Sequence, residues 1–120
     1  MVTREYNYVT DTCKGFFAMA ECNETIGKEI NIASNYEISI YEVLKALKEI
    51  MNCKTDFIID KERIRPESSE VFRLWGDNSL LLKLTGFRTE VNIRTGLEIT
   101  CKWFAKAENL RKYKASIYNL

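Results

Sequence analysis

Hydrophobic and polar positions follow two different periods along the chain, and the changes from one to the other predict its elements. Tyr6 to Val9, aromatic and β-branched, read as a short strand. Asp11 then stands as the cap of a helix whose apolar positions Cys13, Phe16, Phe17 and Ala20 recur at helical spacing. Gly27 punctuates a turn. Beyond it Glu29 to Ala33, with Ile30 and Ile32 on one face, predict a second strand that ends in the polar turn Ser34, Asn35.

The next helix is the best specified. Ser39 and Glu42 have the spacing of a capping box, and Ile38 and Val43 stand where a hydrophobic staple would hold the chain's entry. Its stripe of Ile40, Val43, Leu44, Leu47 and Ile50 predicts a helix lying on a core, with Lys45, Lys48 and Glu49 toward water. Phe57 to Ile59 predict a third, largely buried strand. From Asp60 to Glu70 the apolar signal gives way to charge around Pro66, which predicts a loop.

Val71 to Trp75 form a short extended stretch, and Asp77 or Asn78 then caps a brief helix that Gly86 ends in the left-handed conformation. A last helix follows Asn92, with Ile93, Leu97, Thr100, Cys101 and Phe104 on one face. Asn109 to Leu120 read as polar and irregular. Helices separated by single strands predict an α/β or mixed α+β domain, a small partly parallel sheet with about four helices.

Composition narrows this further. With 120 residues, 46% of them apolar, and one proline, residues 1–120 fit a single domain with a modest core. A net charge of +1 supplies no field to gather nucleic acid or an anionic membrane, so neither is expected as a partner. No basic-then-apolar leader and no apolar run of spanning length is seen. Cys13, Cys22, Cys53 and Cys101 form no close pair and the chain has no histidine, so no metal site is expected. Cys13 and Cys101 fall on the apolar faces of predicted helices as small buried hydrophobes, and reduced thiols fit a cytoplasmic location.

The same inventory excludes chemistry. Without histidine there is no Ser-His or Cys-His nucleophile pair. Gly15, Gly27, Gly76, Gly86 and Gly96 are too scattered for the glycine-rich turn that lets a backbone approach a dinucleotide pyrophosphate, so no cofactor-binding residue is expected in this chain. Tyr41 and Lys45 have the Tyr-x-x-x-Lys spacing, but Tyr41 sits in a capped first turn with no such loop before it, and no catalytic role is assigned.

The informative stretch runs from Arg63 through Arg65, Pro66, Ser69 and Glu70 to Trp75, Gly76 and Asp77. The Arg65 guanidinium offers a planar fork for phosphate oxygens on a backbone stiffened by Pro66, and the Glu70 carboxylate can accept from a ribose diol. On residue chemistry alone, a solvated and salt-bridged loop is the favoured account.

Four motifs then occur in one order. They are Arg4-Glu5-Tyr6-Asn7-Tyr8-Val9-Thr10-Asp11; Asn31-Ile32-Ala33-Ser34-Asn35 with Ile38-Ser39-Ile40; Arg65-Pro66 with Ser69-Glu70-Val71; and Asp77-Asn78-Ser79 with Leu84-Thr85-Gly86-Phe87, Gly96-Leu97 and Trp103-Phe104. Together they resemble the C-terminal, substrate-binding portion of an extended short-chain dehydrogenase/reductase, closest to nucleotide-sugar 4,6-dehydratases and epimerases acting on GDP-mannose or UDP-N-acetylglucosamine. Ala33 and Asn35 replace glycines of that pattern, and Leu80 to Leu82 replace a small, basic stretch.

The resemblance implies that Arg65 and Arg4 grip the diphosphate of a nucleotide-diphosphate sugar and that Glu70 holds its ribose. It further implies a parent enzyme, a lyase using NAD and a homo-oligomer, whose upstream Rossmann domain carries the cofactor and the catalytic groups. This chain would then be inactive alone. Two other accounts stay open: a stand-alone, non-catalytic nucleotide-binding module, and a truncated product without activity.

Overall fold

A computed structural model of the chain describes residues 2–59 and 71–113. Strand β1 (Thr3–Glu5) leads into helix α1 (Val9–Ala20) and a single 3-10 turn at Asn23–Thr25. Strand β2 (Glu37–Ser39) runs straight into helix α2 (Ile40–Ile50). Strand β3 (Arg73–Leu74), helices α3 (Ser79–Thr85) and α4 (Ile93–Phe104), and the short α5 (Ala107–Leu110) complete the described elements. The sheet has the order β2-β1-β3. In it β1 pairs antiparallel with β2, Arg4 opposite Ile38, and parallel with β3, Arg4 opposite Leu74. The domain is thus mixed α/β with a small, partly parallel sheet.

Elements whose signals are local form as their residues dictate. The Ser39 hydroxyl accepts the Glu42 N–H at 3.1 Å while the Glu42 carboxylate accepts the Ser39 N–H at 3.0 Å, closing the capping box at the head of α2. Asn92 caps α4 by accepting the Thr95 N–H at 2.9 Å. Gly86 ends α3 at φ 74°, a backbone state that costs glycine nothing. Asp77, not Asn78, bonds the head of α3, its carboxylate accepting the Ser79 N–H at 2.8 Å. The buried apolar side chains among the described residues are Ala33, Ile38 of β2, Val43 of α2 and Leu81 of α3; α3 packs on α1, and α2 packs on α4.

Other expectations fail, and each failure has a physical cause. No strand spans Tyr6 to Val9, because the sheet takes the earlier residues Thr3–Glu5 and the helix begins at Val9 with Tyr8 as its cap residue. Asp11 is not the cap. It lies inside α1, fully buried, and its carboxylate accepts the backbone N–H groups of Glu90 at 3.1 Å and Val91 at 2.9 Å. Segment 29–33 makes no ladder, and Phe57 to Ile59 form no strand and stay exposed. A run of alternating or apolar residues becomes a strand only where a neighbouring edge is available to pair with it. Of the tail expected to be irregular from Asn109 to Leu120, the first two residues belong to α5, Asn109 donates to the Trp103 carbonyl at 2.9 Å, and residues 114–120 lie outside the described residues.

The orientation of α1 is the largest departure. Val9, Cys13, Phe16, Phe17 and Ala20 face solvent, and the inward side carries Asp11 and Gly15. Gly15 sets how closely α1 approaches segment 29–33, since a β-carbon there would stand 2.8 Å from Ile32 Cγ2. Cys13 is therefore exposed, and its expected role as a buried hydrophobe does not hold.

Candidate functional site

Arg4 occupies the middle of the central strand. Its guanidinium donates to the carbonyls of Thr3 and Val71, each at 2.7 Å. Val71 is the first described residue after segment 60–70, which contains Arg65 and Glu70. Those two residues lie outside the described residues. Arg4 is thereby held at the point where the chain leaves the Arg-Pro segment, with β3 parallel to its own strand.

The neighbouring residue, Glu5, organises the same end of the sheet. One carboxylate oxygen accepts the Ser34 hydroxyl at 2.9 Å and the Asn35 N–H at 2.8 Å, and also takes the Ser34 N–H. The other accepts the Gly76 N–H at 2.7 Å. A single carboxylate thus ties the Ser34-Asn35 turn to the Gly76-Asp77 turn. Asn35 adopts φ 58°, the left-handed state that asparagine tolerates better than other non-glycine residues, which shows how the turn forms without its glycine. Asn35 also donates to the Asn78 side chain at 2.6 Å, and Asn78 to the Ala33 carbonyl at 2.7 Å.

A second charged group lies across the sheet. Arg73 Nε contacts both Glu37 oxygens, at 2.7 and 2.9 Å, and the Thr3 hydroxyl donates to one of them at 2.5 Å. The Arg73 guanidinium stands 5.6 Å from the centre of the Trp75 ring. These bonds, with Arg73 first, hold the Glu37 carboxyl below the usual range, and the same pair raises Arg73. The sequence singled out neither Glu5 nor Arg73. An acidic residue beside Arg4, and a basic and an aromatic residue flanking Leu74, were the available signals.

A cleft of about 430 Å³ opens beside the Ser34 turn, lined by Tyr6, Ser34, Tyr36, Glu90 and Asn92 among others. A smaller one of about 220 Å³ lies between Tyr6, Asn7, Tyr8 and the head of α4. Arg4 lines neither. Tyr41 and Lys45 line a separate opening with Lys48, Asp56 and Phe57 on α2 and the chain after it. Among the described residues there is no group of three side chains able to hold a metal, and no helix is long and apolar enough to cross a membrane.

No family model matches the sequence. The chain is similar to GDP-L-colitose synthase of Yersinia pseudotuberculosis, at 24% identity over 106 residues, which are 88% of this chain and 33% of that protein. An epimerase from Methanothermobacter thermautotrophicus superposes with a TM-score of 0.80 and 29% identity over 92% of this chain and 32% of its own. The Bordetella bronchiseptica enzyme WbmF, solved with NAD+ and UDP, gives 0.71 and 28% over 92% and 30%. The chain spans about a third of the length of each of these relatives. Its fold is that of a fragment of the NAD-dependent epimerase/dehydratase enzymes of the short-chain dehydrogenase type.

Proposed function

We propose that the chain is the nucleotide-sugar-binding portion of an NAD-dependent nucleotide-sugar 4,6-dehydratase or epimerase, and that it holds the diphosphate and ribose of the substrate while another part of the enzyme performs the redox chemistry. The observation that carries this reading is the bond from Arg4 to the Val71 carbonyl, which places one guanidinium beside the exit of the segment bearing Arg65 and Glu70. In this reading Arg65 and Arg4 neutralise the diphosphate and Glu70 accepts from the ribose hydroxyls. Such remote contacts supply binding energy that orients a sugar for reaction elsewhere. Cofactor contacts and catalytic groups belong to the rest of the enzyme, and this chain alone turns nothing over.

The test is titration of the labelled chain with a panel of UDP- and GDP-sugars, followed by amide NMR. Shifts at Arg4, Arg65 and Glu70 with micromolar ligand, lost in Arg65→Ala and Glu70→Ala, are the expected result. Absence of any response at millimolar ligand would overturn it.

A further inference from the structure

The cleft of about 430 Å³ beside the Ser34 turn is walled by two segments, each fastened from behind. On one side the Glu5 carboxylate accepts the Ser34 hydroxyl at 2.9 Å and the Asn35 N–H at 2.8 Å. The Ser34 hydroxyl in turn accepts the Tyr36 N–H at 3.3 Å, so Tyr36 leaves the turn in a set direction. On the other side the fully buried Asp11 carboxylate accepts the N–H groups of Glu90 and Val91 at 3.1 and 2.9 Å, which fixes the residues ahead of α4. Walls held in place before a ligand arrives lower the ordering cost of binding one.

The side chains on these walls keep hydrogen-bonding groups that the fold does not use. Among the described residues, the hydroxyls of Tyr6, Tyr36 and Thr89, the Asn92 Nδ2 group and one Glu90 oxygen bond to no protein group. The other Glu90 oxygen is held by Lys14, and the Asn92 oxygen by the Thr95 N–H. Tyr6 and Tyr36 are 40% and 53% exposed, so both rings offer apolar surface to a visitor. Glu90 is the one ionised residue of the lining, and no cation lines the cleft to hold a phosphate.

A ligand that suits these walls is uncharged, has an apolar face for a tyrosine ring, and carries several groups that both donate and accept. Hydroxyls do both, and a pyranose ring combines them with a face of C–H groups. A quaternary ammonium would use the rings and the carboxylate but leave the Asn92 and Thr89 donors unmet. We infer that this cleft is a binding site for a neutral hexopyranose ring, with the tyrosines against its C–H faces and Thr89, Glu90 and Asn92 bonding its hydroxyls. Its volume lies within the range of small-molecule sites, about 300–1,000 Å³. Arg4 does not line it, and the site stands whether or not Arg65 and Glu70 hold a diphosphate and ribose. The ring arrives either as a free saccharide or at the end of a nucleotide, and the test separates the two.

The labelled chain is titrated in parallel with methyl glycosides of mannose, galactose and N-acetylglucosamine, with UDP and GDP, with the matching nucleotide sugars, and with choline. NMR signals of Tyr36, Thr89 and Asn92 report on the cleft, and those of Arg65 and Glu70 report separately on the nucleotide grip. A shift at the cleft with millimolar sugar is expected, about tenfold weaker in affinity in Tyr36→Ala and in Glu90→Gln and unchanged in Arg65→Ala. Glu90→Gln keeps the shape of an exposed side chain, and both variants are checked for an unaltered spectrum away from the cleft. A response to free glycosides identifies a saccharide site. A response to nucleotide sugars alone, absent with bare UDP and GDP, identifies a ring carried on a nucleotide, and both results support the site. No response at the cleft to any sugar overturns the proposal. Equal shifts with bare nucleotides, a response confined to choline, or an affinity that neither variant changes also overturn it.

Discussion

The carboxylate of Asp11 accepts the backbone N–H of Val91 at 2.9 Å, joining the first turn of α1 to the residues just before α4. The bond spans most of the chain, and the same oxygen takes the Glu90 N–H as well. Asp11→Ala leaves two part-buried donors without their acceptor, and the expected loss is about 1–3 kcal/mol of unfolding free energy. Asp11→Asn keeps an acceptor oxygen and should lose less than half of that. Urea unfolding measures both, with the midpoint moving and the slope unchanged. Equal losses in the two variants would mean that the carboxylate oxygen is not what holds Val91.

This pair also marks what the sequence makes legible. An aspartate shortly before an apolar helical stripe reads as a cap, and the signal of a local cap and that of a distant bond are the same residue at the same place. The partner lies in a loop some eighty residues away, and nothing in the local pattern points to it. Ser39 with Glu42, Gly86 and Asn92 were readable because cap and capped group lie within one turn of each other. The strand expected at residues 29–33 has the right alternation, but alternation states which face is apolar and not whether an edge is there to pair with it. The α1 stripe likewise shows which face is apolar and not which face the fold covers. At the candidate site, the motif points to Arg4 by resemblance, while nothing local points to Glu5, because its bonds depend on two segments that the fold brings together.

Glu5 is expected to matter more than its exposure suggests. Its carboxylate is the shared acceptor for the Ser34, Asn35 and Gly76 N–H groups. Glu5→Ala should cost about 2–3 kcal/mol, the range for charge-assisted bonds left unmade, and should loosen both turns together. Amide hydrogen exchange reads this directly: faster exchange at Asn35 and Gly76 alike is expected. Faster exchange at one turn only would show that the two are held independently.

Acid should weaken the fold through three carboxyls. Hydrogen bonds from Ser39 hold Glu42 below its ordinary 4.5, Arg73 and then Thr3 hold Glu37 below it, and the Ser79 backbone N–H holds Asp77 below 3.8. A carboxyl whose folded value is depressed binds its proton more weakly when folded. Its contribution is complete above the ordinary value and is lost as pH falls through the folded one. Stability should therefore be flat near neutrality and decline below the ordinary carboxylate range, modestly, because Glu42 and Asp77 are exposed and Glu37 is only half-buried. Glu42→Gln keeps an acceptor for the Ser39 N–H but cannot titrate, so its urea midpoint should fall less steeply with acid. Superimposable acid limbs for the two proteins would remove Glu42 from the account.

Gly15→Ala sets two effects against each other. Alanine favours a helix interior over glycine by about 1 kcal/mol. The new β-carbon, however, would stand 2.8 Å from Ile32 Cγ2, closer than real β-carbons come, and 3.1 Å from Ile32 Cδ1, tighter than most contacts. Cγ2 hangs from a branched carbon with one strongly restricted rotation, so it cannot swing aside as the end of a long side chain would. Either Ile32 leaves its rotamer or α1 moves off segment 29–33, and overpacking of this kind costs about 1–3 kcal/mol. The net expectation is destabilisation, read as a lower urea midpoint. Ile32→Ala in the Gly15→Ala background removes the clash, so the double variant should lose less than the sum of the two single changes. Strict additivity would place the alanine methyl in open space and refute the close packing of α1 on this segment.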